Sequence, residues 1–160
     1  MPDSWPRRKQ TRVPGFDYAS GGAYFVTICT FNRGRILGTV ADSAIRLSDA
    51  GTIVAEEWLN LRETFPSVTL DEHVVMPNHL HGIITISTDA SERQTLGTIV
   101  RKFKNASTHR VRRACSDREM QLWQRNYYDH VVRCENDLNR IRSYIALNAR
   151  HWNEDEHNVS

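Results

Sequence analysis

The sequence is poor in cysteine and has no long apolar run, and both features exclude classes of protein. Its 160 residues contain three cysteines, far apart and without a CxxC pair. A disulfide framework and a cysteine-based zinc site are therefore poorly supported. No apolar run is long enough to cross a bilayer, and residues 1–9 contain no apolar segment of the signal-peptide kind. We therefore expect a cytoplasmic protein without a membrane partner.

Acidic residues are absent from the most basic part of the chain. No Asp or Glu lies between Arg93 and Arg113, and the window holds seven basic residues: Arg93, Arg101, Lys102, Lys104, Arg110, Arg112 and Arg113. A second basic cluster near the N-terminus consists of Arg7, Arg8, Lys9 and Arg12. Because the net charge is only +2, such concentration favours a polyanionic partner, with nucleic acid first. The alternative is a solvated helix face.

Apolar periodicity predicts a single α+β domain over residues 23–152, with a basic N-terminal arm at 1–22 and an acidic tail at 153–160. Strands are predicted at 23–31, 68–75, 79–87 and 127–133, and helices at 48–64, 94–113 and 135–150. A short hairpin around Gly34 and Gly38 is one interpretation of the segment between the first strand and the first helix. The order β-α-β-β-α-β predicts a ferredoxin-like fold, a four-stranded antiparallel sheet with two helices on one face. The last helix would then cover the other face.

Two histidines separated by one apolar residue follow a Pro-Asn turn, in the run Met76-Pro77-Asn78-His79-Leu80-His81. Side chains alternate along a strand, so the two imidazoles face one way and Leu80 faces the other. Two imidazoles on one face can bind one divalent metal. A surface or hydrogen-bonded pair is the other interpretation, because a metal site also needs a third ligand.

The last predicted helix carries a second pair of chemically useful side chains. Tyr144 and Asn148 are four residues apart, so they lie on one helix face. A tyrosine hydroxyl can act as a nucleophile, and an amide oxygen is a hard ligand suited to Mg²⁺ or Mn²⁺. Packing of Tyr144 and capping by Asn148 are the structural alternatives.

These motifs together resemble the HUH single-tyrosine transposases of the IS200/IS605 type, and more closely their REP-associated tyrosine transposase relatives. The resemblance also includes residues 12–18 (RVPGFDY), 22–28 (GAYFVTI) and 122–130 (LWQRNYYDH). It implies that His79 and His81 bind a divalent metal, Mg²⁺ or Mn²⁺, and that Tyr144 is the nucleophile. Asn148 stands where IS200-type enzymes carry a metal-binding Gln, one methylene longer. The REP-associated relatives often have Asn-Pro here, whereas this chain has Asn148 followed by Ala149.

The reaction implied by the resemblance is nicking and joining of single-stranded DNA that carries hairpins. Tyr144 would form a 5′-phosphotyrosine link and leave a 3′-hydroxyl able to rejoin strands. Arg101, Lys102, Lys104 and the arm residues Arg7, Arg8, Lys9 and Arg12 would contact phosphates. The absence of a GxxxxGK(S/T) loop agrees with a reaction that needs no ATP. A short connection before the last helix favours a monomer over a homodimer.

Three other functions fit parts of the pattern. One is a metal-dependent phosphoesterase that uses water, with Tyr144 structural. Another is a non-catalytic nucleic-acid-binding module whose bases stack on Tyr24, Phe25, Tyr127 or Tyr128. The third is a plasmid replication or relaxase protein, which the short chain and the order of the motifs disfavour. Tyr127 and Tyr128 are also rival nucleophiles.

Overall fold

A computed structural model describes residues 22–88 and 94–154 of the chain. The basic residues Arg7, Arg8, Lys9 and Arg12, together with Arg93 and residues 155–160, lie outside the described residues. The predicted arm and most of the predicted tail therefore remain expectations. Within the described ranges, no helix combines the length and the apolar character needed to span a bilayer.

The described chain forms six strands and three α-helices in the predicted order, with one added hairpin. The strands are β1 (Gly22–Cys29), β2 (Gly38–Ala41), β3 (Ala44–Leu47), β4 (Val68–Met76), β5 (His79–Ile86) and β6 (Tyr128–Val132). The helices are α1 (Asp49–Thr64), α2 (Leu96–Cys115) and α3 (Glu135–Leu147). Short 3₁₀ turns lie at Phe31–Arg33 and Trp152–Glu154.

The β2–β3 hairpin falls within the segment where a hairpin was predicted, but its turn does not lie at the glycines. The chain reverses at Asp42 and Ser43, both of which have positive φ values, of 52° and 59°. Such a two-residue turn matches the twist of the flanking strands. Gly38 instead begins β2, where an added Cβ would lie only 2.5 Å from the carbonyl oxygen of Arg46.

The main sheet has the order β4-β5-β1-β6 with antiparallel neighbours throughout, so the ferredoxin-like prediction is confirmed. The histidine-bearing strand β5 is central, between β4 and β1. Both histidines are held on both sides by backbone pairing: His79 pairs with Cys29 and Met76, and His81 pairs with Thr27 and Val74. A side chain on β5 is therefore fixed in position more firmly than one on an edge strand.

Helices α1 and α2 pack on one face of the sheet over the larger apolar core. That core includes Trp58 of α1, Phe103 of α2 and Leu80 of β5. Trp58 lies so close to Gly82 that a Cβ there would be 2.2 Å from the indole ring. Ser48 is the N-cap of α1, since its hydroxyl accepts a hydrogen bond from the backbone N–H of Gly51 in the first turn. These contacts hold β5 from the side opposite the histidines.

Helix α3 covers the other sheet face, as predicted, over a smaller apolar cluster of Phe25, Ile83, Ile141 and Ile145. Polar contacts join this helix to both edge strands. Arg142 binds Asp71 of β4 through two hydrogen bonds, at 2.9 and 2.5 Å. Asp137 lies 2.9 Å from the imidazole of His130 on β6. The hydrogen bonds from Arg142 hold the pKa of Asp71 below its usual value. Helix α3 is thus attached to the sheet of its own chain on both sides.

Candidate active site

His79 and His81 lie side by side on the face of β5 that α3 covers. Their ring centroids are 4.4 Å apart, and both side chains are buried. Leu80 points to the opposite face and is part of the core under α1 and α2. The alternation predicted from the sequence is therefore confirmed, and the two imidazoles are close enough to share one ion.

The Nδ1 atom of each histidine makes a short hydrogen bond to a buried side chain. His79 Nδ1 lies 2.7 Å from Asn78 Oδ1, and His81 Nδ1 lies 2.8 Å from the hydroxyl of Thr27. An amide oxygen only accepts, so His79 Nδ1 donates in this hydrogen bond, and a neutral imidazole with that proton has its lone pair on Nε2. Partners of this kind fix the ring orientation of metal-binding histidines and leave Nε2 as the ligating nitrogen.

Tyr144 on α3 faces the histidine pair across the site. Its ring centroid lies 5.4 Å from that of His81 and 6.1 Å from that of Phe25, in edge-on contacts. The Tyr144 side chain is partly exposed, whereas the imidazoles are not. The structure therefore brings together the predicted nucleophile and the predicted metal ligands, which are 63 and 65 residues apart in the sequence.

Asn148 lies one helical turn after Tyr144, at the C-cap of α3. Its side chain is 3% exposed, and among the described residues its Oδ1 has no hydrogen-bond partner. Buried polar atoms are nearly always paired, so such an acceptor needs an explanation, and a bound cation is one. The described residues contain no group of three His, Cys, Asp or Glu side chains suited to a metal. Within the described ranges, a third protein ligand for the histidine pair would therefore be of another type, and an amide oxygen such as Asn148 Oδ1 is chemically suitable.

A wall of the site comes from residues that the sequence did not single out. Trp152 stacks on His79 with ring centroids 6.1 Å apart and planes at 26°. The guanidinium of Arg35 lies 5.6 Å from the centre of the Trp152 ring. Because Trp152 follows α3 and Arg35 follows β1, no local pattern in the sequence connects them.

The two rival tyrosines lie in different places. Tyr127 is 8% exposed and belongs to the core under α1 and α2, on the side away from the histidines. Tyr128 pairs with Thr27, which pairs in turn with His81, so these three residues share one face of the sheet. Tyr128 is two strands from the histidine, a separation of about 10 Å between backbones. The other aromatic residues proposed to stack on bases, Tyr24 and Phe25, are also buried.

The predicted phosphate-binding residues of α2 have different surroundings. Arg101 and Lys102 are exposed. Lys104 is half-buried, and its Nζ donates hydrogen bonds to the backbone carbonyls of Gln124, Arg125 and Asn126 at 2.8 to 3.3 Å. Burial lowers the pKa of Lys104 to about 8. Lys104 therefore organises a loop, and its predicted role on DNA is untested.

The acids missing from the basic window are supplied by another helix. Arg110 pairs with Glu56 and Glu57 of α1 at 2.6 and 2.7 Å. This part of α2 is therefore less positive than its own sequence indicates. Among the described residues, exposed basic side chains without such acidic partners lie in both halves of the helix, with Arg101 and Lys102 in the first half and Arg113 at the end.

Comparison with known proteins identifies a family for this chain. The family described as "Transposase IS200 like" matches residues 55–148, more than half of the chain. An uncharacterized protein of Haemophilus influenzae strain Rd is 36% identical over 167 residues, which cover 93% of this chain and 92% of that one.

Two solved structures share the fold. A REP-associated tyrosine transposase bound to a REP hairpin matches with a TM-score of 0.61 and 22% identity, over 83% of this chain and 69% of that one. A candidate transposase from Deinococcus radiodurans R1 matches with a TM-score of 0.54 and 18% identity, over 84% and 95% of the two chains.

Proposed function

The chain belongs to the IS200-like transposase family, and we propose that it nicks and joins single-stranded DNA through Tyr144. The observation that carries the proposal is the placement of the Tyr144 ring 5.4 Å from that of His81, itself adjacent to His79. A tyrosine nucleophile beside two imidazoles is an arrangement for phosphoryl transfer, in which positioning and electrostatic stabilisation supply most of the catalysis.

We infer that His79 and His81 hold a divalent metal through Nε2 and that Asn148 supplies an oxygen ligand. The family is generally metal-dependent, and the hydrogen bonds at both Nδ1 atoms orient the rings for this task. A mixed nitrogen and oxygen donor set suits Mn²⁺, and Mg²⁺ is acceptable if waters complete the shell. When bound, the metal polarises the scissile phosphate and stabilises charge that develops on it.

The covalent step exchanges one phosphorus–oxygen ester bond for another, so the energy of the broken bond is retained in the intermediate. The Tyr144 oxygen forms a bond to phosphorus while the bond from phosphorus to the 3′ oxygen breaks. The proton lost by the phenol is regained by the departing 3′ oxygen, which becomes a hydroxyl. The product is a 5′-phosphotyrosine, and attack on it by a 3′-hydroxyl reverses the reaction on the same strand or another. No nucleotide cofactor is consumed.

Hairpin-bearing single-stranded DNA is the proposed substrate. The REP-associated transposase with this fold is bound to a REP hairpin, and exposed Arg101 and Lys102 give α2 a basic face. We retain the arm cluster around Arg7 and Arg12 as proposed phosphate contacts. Lys104 is the weakest of the proposed contacts, because its ammonium already binds three backbone carbonyls.

We propose that Tyr144 acts on the histidines of its own chain and that the protein works as a monomer. The support is the attachment of α3 to both edges of its own sheet, through Arg142 with Asp71 and through Asp137 with His130. A helix exchanged with a partner would have to break both contacts and form them again between chains.

The test is to incubate the protein with hairpin-bearing single-stranded DNA and Mn²⁺, followed by a denaturing gel that detects a protein–DNA adduct. The wild type should form the adduct, Tyr144→Phe should not, and Tyr128→Phe is the matched control that should. Tyr144→Phe should still bind Mn²⁺ and DNA. Cleavage without an adduct in the wild type would favour the water-using phosphoesterase, and loss in Tyr128→Phe alone would reassign the nucleophile.

A further inference from the structure

We propose that the loop of residues 31–36, here called the connecting loop, guides a single DNA strand around the end of the sheet. The strand would pass from a basic groove beside α2 to the histidine pair under α3. This inference rests on the proposed function, since it takes DNA as the substrate. It adds the path of the strand and two residues that hold it, Phe31 and Arg35.

The groove lies between α2 and residues 121–127, on the sheet face opposite the histidines, and has a volume of about 1120 Å³. The described residues that line it include no Asp or Glu, whereas Arg101 and Arg125 contribute positive charge. Phe31 forms part of its wall, with 43% of its surface exposed. A hydrogen bond of 2.9 Å from the backbone N–H of Phe31 to the carbonyl of Leu122 fixes the backbone of Phe31 beside the groove.

The connecting loop is bonded at both ends to the turn that precedes His79. The backbone N–H of Thr30 donates to the carbonyl of Asn78 at 3.0 Å, and that of Leu37 donates to the carbonyl of Pro77 at 2.9 Å. The loop therefore stands at the end of the sheet where the histidine strand begins. A chain that follows the loop passes from one sheet face to the other.

Arg35 lies at the far side of this path. Its guanidinium is 5.6 Å from the ring of Trp152, which stacks on His79. Contact with an aromatic face holds a guanidinium in place while its planar edge of N–H donors can bind a phosphate oxygen. Arg35 is exposed, so its side chain is accessible to a nucleic-acid backbone.

The chemistry of these two residues favours a single strand over a duplex. An exposed aromatic ring stacks on a base whose face is open, and a duplex buries those faces against neighbouring bases. An arginine a few residues further along then binds the phosphate of the same strand. Together, Phe31 and Arg35 would bind a base and a phosphate of the strand before the strand reaches the histidines.

The stacking role is tested by fluorescence anisotropy with a short labelled oligothymidylate, on the Tyr144→Phe background and without metal, so that no chemistry is required. Phe31→Ala and Phe31→Leu should each weaken binding about five- to a hundredfold, because both lack a π face. Phe31→Trp should bind like the parent. Leu59→Ala is the control, since Leu59 is similarly exposed, at 37%, and does not line the groove. Unchanged binding by Phe31→Leu, or equal competition by a duplex, would overturn the inference.

The phosphate role is tested by the salt dependence of the same binding. Arg35→Gln should reduce the slope of log K against log salt by about 0.7, the contribution of one phosphate contact on a single strand. Arg46→Gln is the control and should leave the slope unchanged, because Arg46 lies on exposed β3. Equal slopes for Arg35→Gln and its parent would refute a contact between Arg35 and a phosphate. Binding is measured separately from cleavage. If the wild type forms adducts and Phe31→Leu still binds DNA normally, only this inference is refuted. Absence of adducts refutes only the proposed function.

Discussion

Replacement of Thr27 by Val should weaken metal binding without removing any ligand. The Thr27 hydroxyl lies 2.8 Å from His81 Nδ1, and both side chains are buried, at 4% and 1% exposure. If His81 ligates through Nε2, its Nδ1–H donates to this hydroxyl. Valine has nearly the same shape as threonine but cannot accept that hydrogen bond, so the imidazole loses the partner that fixes its orientation.

The expected size follows from burial. Both side chains are buried, so removal of the hydroxyl acceptor should cost about 1 to 3 kcal/mol of stability. Loss of such an orienting partner typically costs about 10- to 100-fold in metal affinity, or about 1.4 to 2.7 kcal/mol. Thr27→Ser keeps the acceptor and should bind the metal within about a few-fold of the wild type.

The assay is titration calorimetry with Mn²⁺, accompanied by urea unfolding of each variant. Thr27→Val should show the weaker Mn²⁺ affinity while it remains folded, and it should form the DNA adduct more slowly. If Thr27→Val binds Mn²⁺ as tightly as the wild type does, the reasoning is refuted, because the orientation of His81 would then have no effect on metal affinity. A loss shared by Thr27→Ser would point to packing of the threonine methyl group instead of the hydrogen bond.

Lys104→Met should lower the free energy of unfolding by about 1 to 3 kcal/mol, because it leaves three loop carbonyls without their donor; exposed Lys102→Met should change it by less than about 0.5 kcal/mol. Because burial lowers the pKa of Lys104 to about 8, the folded chain loses this proton before the unfolded chain does. Wild-type stability relative to Lys104→Met should therefore rise from about pH 8 to about pH 10.5 in urea unfolding, and a flat difference would contradict that pKa. In a mixture of the His79→Ala/His81→Ala protein with the Tyr144→Phe protein no adduct should form, since α3 is bonded to its own sheet; recovered adduct on the denaturing gel would show a site shared between chains.

Local patterns in the sequence were sufficient for the elements and for the two halves of the site. Alternation placed His79 and His81 on one face of a strand, and the one-turn spacing placed Tyr144 and Asn148 on one face of a helix. Both are properties of neighbouring residues, so a single sequence reveals them. The approach of the Tyr144 ring to the histidines depends on α3 covering the free sheet face, which the order of elements predicted.

The residues that surround the site could not be predicted in this way. The bond between Thr27 and His81 depends on the register of two strands whose residues are 54 positions apart. The stack of Trp152 on His79 depends on how the chain turns after α3. Neutralisation of Arg110 by acids on α1 is a contact between helices. All of these are tertiary contacts that leave no periodic signal in the chain.

The burial of His79 and His81 shows which element has to move for the proposed reaction. A phosphodiester cannot reach two imidazoles that are fully covered, so the cover must open. The sheet and the helices on its other face share the larger core. In contrast, α3 packs through a cluster of four buried apolar residues, two of them its own, and through partly exposed contacts with Asp71 and His130. Elements with few buried contacts open at the lowest free-energy cost. We therefore expect Tyr144, with its part of α3, and Trp152, which stacks on His79, to shift enough to admit DNA while α3 stays on its own sheet and β5 keeps the histidines fixed.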